Sequence, residues 1–227
     1  IAGGGGLLTV PAIWLTGIDT HGVMGTNKGQ SVFGSGTSLW RFTNSSLLDR
    51  RRALQSFVPA LAGAAVGAQL VLQVPPRILT ALIMTLLLAV AIFVVFQRPP
   101  QVTLAPRSRP FWIAAAVALT LAFYDGFFGP GTGTFLIFAY TLLWHDPLDA
   151  ASANAKVVNF ASNFASMITF AAQGQIHWRF AAPMAIGQIL GGYLGTHLTI
   201  RLGRPLVRYT VVAVSVALIL CLAWRLT

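Results

Sequence analysis

The chain has no glutamate, one cysteine and two lysines, and only 9% of its 227 residues are charged. A soluble domain carries about 25% charged residues, so these few cannot coat a water-facing surface of this size. Hydrophobic residues make up 56% of the sequence, and the mean hydropathy is +0.73. These values exclude the soluble-enzyme classes and leave an all-α polytopic integral membrane protein. Cys221 alone forms neither an internal disulfide nor a thiolate metal site. It sits in an apolar run and reads as a small buried hydrophobe. Without glutamate there is no His-Glu-x-x-His motif. His21, His145, His177 and His197 are scattered with no ligand spacing. No nucleophile elbow and no Gly-Lys-Ser/Thr phosphate loop is present. No metal, cofactor or enzymatic activity is therefore expected.

The net charge of +10 would suit nucleic acid. Here the arginines lie between apolar runs, and the bias of cytoplasmic loops towards basic residues accounts for them without a nucleic-acid partner. A spanning helix needs about 20 apolar residues. Residues 53–72, 78–96, 111–128, 180–200 and 206–224 meet that need. Residues 26–42 and 150–172 are long enough, but each contains a lysine and several amides. Residues 131–144 are apolar but short and suit a re-entrant or broken helix, with 3–15 as their counterpart. The chain opens at Ile1 inside what reads as a membrane segment, and is expected to lack its natural start.

An ungapped offset of 128 residues superposes Lys28 on Lys156, Gly3 on Gly131, Gly5 on Gly133, Arg51 on Arg179, Gly63 on Gly191 and Gly67 on Gly195. The sequence thus divides into a first repeat, 1–97, a cytoplasmic linker, 98–110, and a second repeat, 111–227. Internal symmetry of this kind is a transporter signature. The basic stretches at Arg50-Arg51-Arg52, in the linker, and at Arg201, Arg204 and Arg208 mark cytoplasmic turns. They favour inverted repeats, with parallel repeats as the alternative. The glycine pairs Gly63/Gly67 and Gly191/Gly195 read as close helix packing through small residues.

The chemistry gathers at two kinds of place. Lys28 and Lys156 stand on otherwise apolar helices, where a central lysine costs about 2.5–3.5 kcal/mol. Either they snorkel to the membrane surface, or they face a polar cavity. Asn27, Gln30 and Ser31 accompany Lys28, and Asn159 and Asn163 accompany Lys156. Such groups could donate hydrogen bonds to an anion. The second kind is the glycine-rich break: Gly3-Gly4-Gly5-Gly6 in the first repeat, and Gly129-Pro130-Gly131-Thr132-Gly133-Thr134 in the second. A helix restarting after such a break offers free N–H groups and a positive dipole end. Asp125 is the one acid well inside an apolar run, and it could carry a coupling proton, pair with a lysine or cap a helix. Its first-repeat counterpart would lie before Ile1. Asp146 and Asp149 flank Pro147 and are expected to be solvated caps.

These segments resemble a known family. Gly3-Gly4-Gly5-Gly6-Leu7-Leu8-Thr9-Val10-Pro11 followed by Gly25-Thr26-Asn27-Lys28-Gly29-Gln30 is similar to the first signature of the TauE/SafE family of sulfite exporters and related permeases. Gly129-Pro130-Gly131-Thr132-Gly133 followed by Asn154-Ala155-Lys156-Val157-Val158-Asn159-Phe160 is similar to its second-half signature. The resemblance implies a multi-pass permease of the bacterial inner membrane. Its substrate would be a small sulfur-containing anion such as sulfite or an organosulfonate. With no ATP-binding motif in the sequence, transport is expected to be secondary or channel-like, with a proton or another ion as the candidate coupling partner. The expected site comprises Lys28, Lys156, Asn27, Gln30, Ser31, Asn159, Asn163, Gly5, Gly131, Thr132, Gly133 and Thr134, with Asp125 as the coupling candidate. The partners are the substrate and the bilayer, and the choice between monomer and homo-oligomer stays open. The competing reading is a non-transporting membrane subunit or assembly factor.

Overall fold

The computed structural model describes residues 5–96 and 108–202. The expected span at 206–224, Cys221 and most of the linker lie outside the described residues. Among the described residues eight helices follow one another: α1 Gly5–Trp14, α2 Thr20–Thr43, α3 Arg50–Val71, α4 Pro76–Phe96, α5 Phe111–Phe127, α6 Thr132–Trp144, α7 Leu148–Ala172 and α8 Trp178–Leu202. Among the described residues there is no strand. The start signals are local. Asp19 caps α2 by accepting from the N–H of Gly22 at 3.1 Å, and Asp49 caps α3 by accepting from the N–H of Arg52 at 3.1 Å.

Two helices are short, as expected. α1 has 10 residues and α6 has 13. At 1.5 Å per residue α6 does not cross a hydrocarbon core of about 30 Å. α3 is the described helix that is both long and apolar enough to do so by length and composition. α2, α7 and α8 are longer, with 24, 25 and 25 residues, but polar groups interrupt them. α2 starts at Thr20 and α7 at Leu148, both earlier than the apolar runs suggested, because polar first turns extend them.

The radial distribution of side chains inverts that of a water-soluble protein. Leu54 is 79% exposed, Val58 67%, Ile186 63% and Leu190 59%, while Lys28 is 1% and Gln30 0% exposed. Every residue from Gly22 to Gln30 on α2 is buried. An apolar outside and a polar inside is what lipid selects: hydrocarbon solvates no charge, so polar groups turn inwards.

α3 and α5 pack closely and in parallel. Gly63, Ala64 and Gly67 meet Leu119, Phe123 and Gly126, and a Cβ at Gly63 or Gly67 would lie 2.2 Å from a carbonyl oxygen of α5. Alanines every four residues on α5, at 114, 118 and 122, face this seam. Gly191 differs from the expected pattern: nothing lies within 4 Å of a Cβ built there, so it is not a packing glycine among the described residues.

α2 and α7 form the centre and run antiparallel. Gly25 lies against Phe170, Gly36 against Phe160, and the N–H of Asp49, beyond the end of α2, donates to Asn154 near the start of α7 at 2.9 Å. α8 packs parallel to α2, with Gly34 against Gln188 and Ser38 donating to the Gly192 carbonyl at 3.4 Å. α3 also lies against α7, where the Phe57 and Phe160 rings are 6.4 Å apart.

Candidate functional site

The break between α5 and α6 organises the interior. α5 stops at Phe127, and Gly129 and Gly131 adopt φ of 94° and 85°. Glycine enters this left-handed region without the Cβ penalty. At Gly131 a Cβ would also lie 2.4 Å from Val90 Cγ1. Helical bonding is interrupted here, as the sequence suggested. The expectation of free N–H groups across Gly131–Thr134 needs correction. The turn takes up several of them: Thr132 N–H donates to Gly129 O at 3.2 Å, and Thr134 N–H to Gly131 O at 2.9 Å. The Thr132 hydroxyl donates to the same Gly129 carbonyl at 2.7 Å, and Tyr124 donates to Pro130 O at 2.9 Å. A buried turn tends to satisfy its own polar groups, and these bonds account locally for the N–H groups of Thr132 and Thr134.

Lys28 reaches this break from α2. Its amine is 2.9 Å from Asp125 Oδ1, with the two side chains 1% and 5% exposed. A Cβ built on Gly129 would be 3.0 Å from Lys28 Nζ, so the missing side chain makes room for the amine. The hydroxyl of Ser162, on α7, donates to Asp125 Oδ2 through a short hydrogen bond. Of the three roles open to Asp125, the structure forms the lysine pair. Lys28 faces the interior and does not snorkel.

α1 arrives at the same place. A Cβ on Gly6 would be 3.3 Å from Pro130 Cα, so the two glycine-rich segments touch. Gly5 opens α1 beside this contact. Thr9 donates to Asn27 Oδ1 at 2.6 Å, and Gln30 Nε2 donates to the same oxygen and to Ser31 Oγ, each at 3.1 Å. Gln30 Oε1 is buried without a hydrogen-bond partner among the described residues.

The second lysine sits differently. Lys156 is partly exposed and makes no ion pair or hydrogen bond among the described residues. Its companions turn back on their own helix: Asn159 Nδ2 donates to Ala155 O at 3.1 Å and Asn163 Nδ2 to Asn159 O at 2.7 Å. One of the two N–H bonds of each amide is thereby spent within α7. Gly133 and Thr134 lie buried in the first turn of α6.

A second charged cluster was not anticipated. Asp146, expected to be a solvated cap, is 5% exposed. It receives Arg52 NH1 at 2.5 Å and Asn154 Nδ2 at 2.9 Å. Arg52 also pairs with Asp49 at 3.1 Å and lies over the rings of Trp144 and Tyr140 at 4.9 and 5.4 Å. Asp149 fits its expected place better, being only partly buried near the start of α7 and accepting from the Ala150 N–H at 3.0 Å. Ser162, Thr9 and the Arg52–Asp146 pair make the interhelical contacts that sequence reading missed. Spacing along one helix cannot register a contact made between helices.

Among the described residues no group of three or more His, Cys, Asp or Glu side chains could hold a metal ion. The arrangement is instead a buried ion pair with a hydroxyl, beside the break between α5 and α6, where Gly6 of α1 meets Pro130.

Comparison with known proteins agrees with the resemblance. The chain is 34% identical over 221 residues to a Sinorhizobium protein named "Probable membrane transporter protein ORF9", covering 96% of this chain and 84% of that one. It is 35% identical over 218 residues to a Haemophilus influenzae "Probable membrane transporter protein", covering 95% and 85%. With "Probable membrane transporter protein YfcA" of Escherichia coli K12 it shares 32% over 220 residues, covering 95% and 80%. No solved structure matches it. The family model is described as a sulfite exporter, and each of these relatives is named a probable membrane transporter. Residues 1–222 match the family model "Sulfite exporter TauE/SafE", and the chain is a member of that family.

Proposed function

We propose that this protein is a secondary transporter of a small sulfur-containing anion, sulfite or an organosulfonate, in a bacterial-type inner membrane. The observation that carries the reading is the Lys28–Asp125–Ser162 constellation, buried where the break after α5 meets the start of α1. Intramembrane ionisable groups mark ion and substrate pathways. Midplane sites built on broken helices are the common transporter arrangement.

Two related multi-pass halves, 1–97 and 111–227, frame this site. The offset of 128 carries α1, α2 and α3 onto 133–142, 148–171 and 178–199, within α6, α7 and α8. The packing supports the same relation: α2 lies on α8 as α3 lies on α7. The equivalent helices α2 and α7 run antiparallel, which favours inverted over parallel repeats.

The roles follow from charge state. Asp125 neutralises Lys28, so Lys28 holds an anion only when that carboxylate is protonated or displaced. Asp125 is therefore the coupling group, and its protonation exposes the Lys28 amine to substrate. Lys156 supplies the second positive charge, with Asn27, Gln30, Ser31, Asn159 and Asn163 as a polar lining. Gly5 and Gly133 let substrate approach the backbone, while Gly131, Thr132 and Thr134 are engaged by the turn itself and by Val90.

The test is flux into proteoliposomes with sulfite, thiosulfate, sulfate, sulfoacetate and taurine under an imposed pH gradient. Saturable flux of one of these anions is expected. Asp125→Asn should abolish the response to the gradient. Folded protein that carries none of the five overturns the reading. Flux that ignores the gradient in wild type removes only the coupling role.

A further inference from the structure

A cavity of about 470 Å³ opens at the end of the molecule where α3 and α5 begin. Its walls include Asp49, Arg51, Arg52, Gln55, Ser108 and Arg109. The buried Trp144 forms part of its lining. We propose that this cavity binds the phosphate of an anionic phospholipid headgroup. This rests on membrane residence and is independent of what the protein transports.

The charge balance points to an anion. Arg52 is engaged by Asp146 and Asp49, and Asp49 is the one carboxylate lining the cavity. The other two arginines are not compensated. Arg51 is exposed and has no partner among the described residues. Arg109 donates Nε to the Leu143 carbonyl at 3.0 Å, which fixes the guanidinium and leaves its terminal amines for the cavity. Two arginines, one amide and one hydroxyl suit a phosphate's acceptor oxygens.

The surroundings point to a lipid as the carrier. Leu54 and Val58 continue the Arg51 side of α3 at helical spacing and are 79% and 67% exposed. Phe111 and Trp112, at the start of α5, are 63% and 62% exposed. Aromatic side chains of this kind anchor at the headgroup level. A basic recess above an apolar strip takes a headgroup above its acyl chains, and basic pockets between helices on the cytoplasmic side are known lipid sites.

Native mass spectrometry of the full chain, with phosphatidylglycerol against phosphatidylcholine, measures the preference. Wild type should retain phosphatidylglycerol selectively. Arg51→Gln should lower the preference about fivefold, and the Arg51→Gln/Arg109→Gln pair about 25-fold. Arg77→Gln/Arg179→Gln removes the same charge at the other end and should leave it unchanged. The melting temperature checks each variant's fold, and the exposed Arg51→Gln alone suffices if the double variant does not fold. The assignment fails if wild type shows no preference, if the cavity variants keep it, or if the distant pair lowers it equally. Displacement of the lipid by millimolar inorganic phosphate would assign the cavity to free phosphate and overturn the lipid.

Discussion

Removing one member of the Lys28–Asp125 pair should harm the protein far more than removing both. At 2.9 Å and an effective dielectric near 20, the Coulomb attraction is about 6 kcal/mol. Desolvating the two charges consumes most of that, so the net contribution of an intact buried pair is small. An orphaned partner is another matter, because the side chains are only 1% and 5% exposed, which leaves little solvation to compensate. Lys28→Met leaves Asp125 with only the Ser162 hydroxyl, and Asp125→Asn leaves an unpaired ammonium beside Gly129. Each single substitution should cost about 3–5 kcal/mol of stability, and the double variant should return to within about 2 kcal/mol of wild type. Reversible unfolding in bicelles, read as a double-mutant cycle, gives the coupling energy. Additive single effects would refute the reasoning, since they would mean the two charges do not meet in the folded protein. The transport assay separates stability from function: the double variant should be folded and inactive.

Three further outcomes are expected. Gly63→Ala forces a methyl to within 2.2 Å of the Leu119 carbonyl and should sharply lower the folded yield, while Gly191→Ala, in open space, should leave it unchanged on size exclusion in detergent. Gly131→Ala should impair folding twice over, through its φ of 85° and through Val90; Val90→Ala should relieve the clash but leave a strain of about 1–2 kcal/mol, visible in the melting temperature. Lys156→Gln should weaken substrate affinity about five- to 150-fold, the equivalent of 1–3 kcal/mol for one charge-assisted hydrogen bond, and Lys156→Arg should restore only part of it in the flux assay.

The legible features were those written along the chain. Apolar run lengths located the helices, and Gly-Pro-Gly located the break between α5 and α6. A charge on an apolar helix has to be satisfied, so Lys28 and Asp125 stood out individually. Their pairing was open, because it depends on how α2 crosses the end of α5. Asp146 was misread for a related reason. Pro147 beside it signals a turn, and turns are usually solvated, but Arg52 comes from a helix 94 residues away and buries this one. At Gly191 no described atom lies within 4 Å of a built Cβ, whereas the same glycine spacing on α3 packs against a backbone. The backbone amides at Thr132 and Thr134 were misjudged because a tight turn consumes its own donors.

The energetics of the interior argue that its charges serve more than folding. A pair of apolar side chains of similar volume would hold α2 against α5 at least as well as Lys28 and Asp125 do, and hydrocarbon outside the bundle offers nothing to an ion that strays. The Arg52–Asp146 pair has an ordinary structural account. It lies at the end of the bundle beside a polar cavity, where it ties the start of α3 to the loop before α7. The Lys28 pair has no such account. It sits at the break where α5 stops and α6 begins, touching a glycine whose missing side chain makes its room. A fixed cation there would bind an anion too well to release it, and a permanently paired one would not bind it at all. In the transport cycle proposed above, a carboxylate that takes up a proton would give both conditions in turn, as alternating capture and release of a small anion would require.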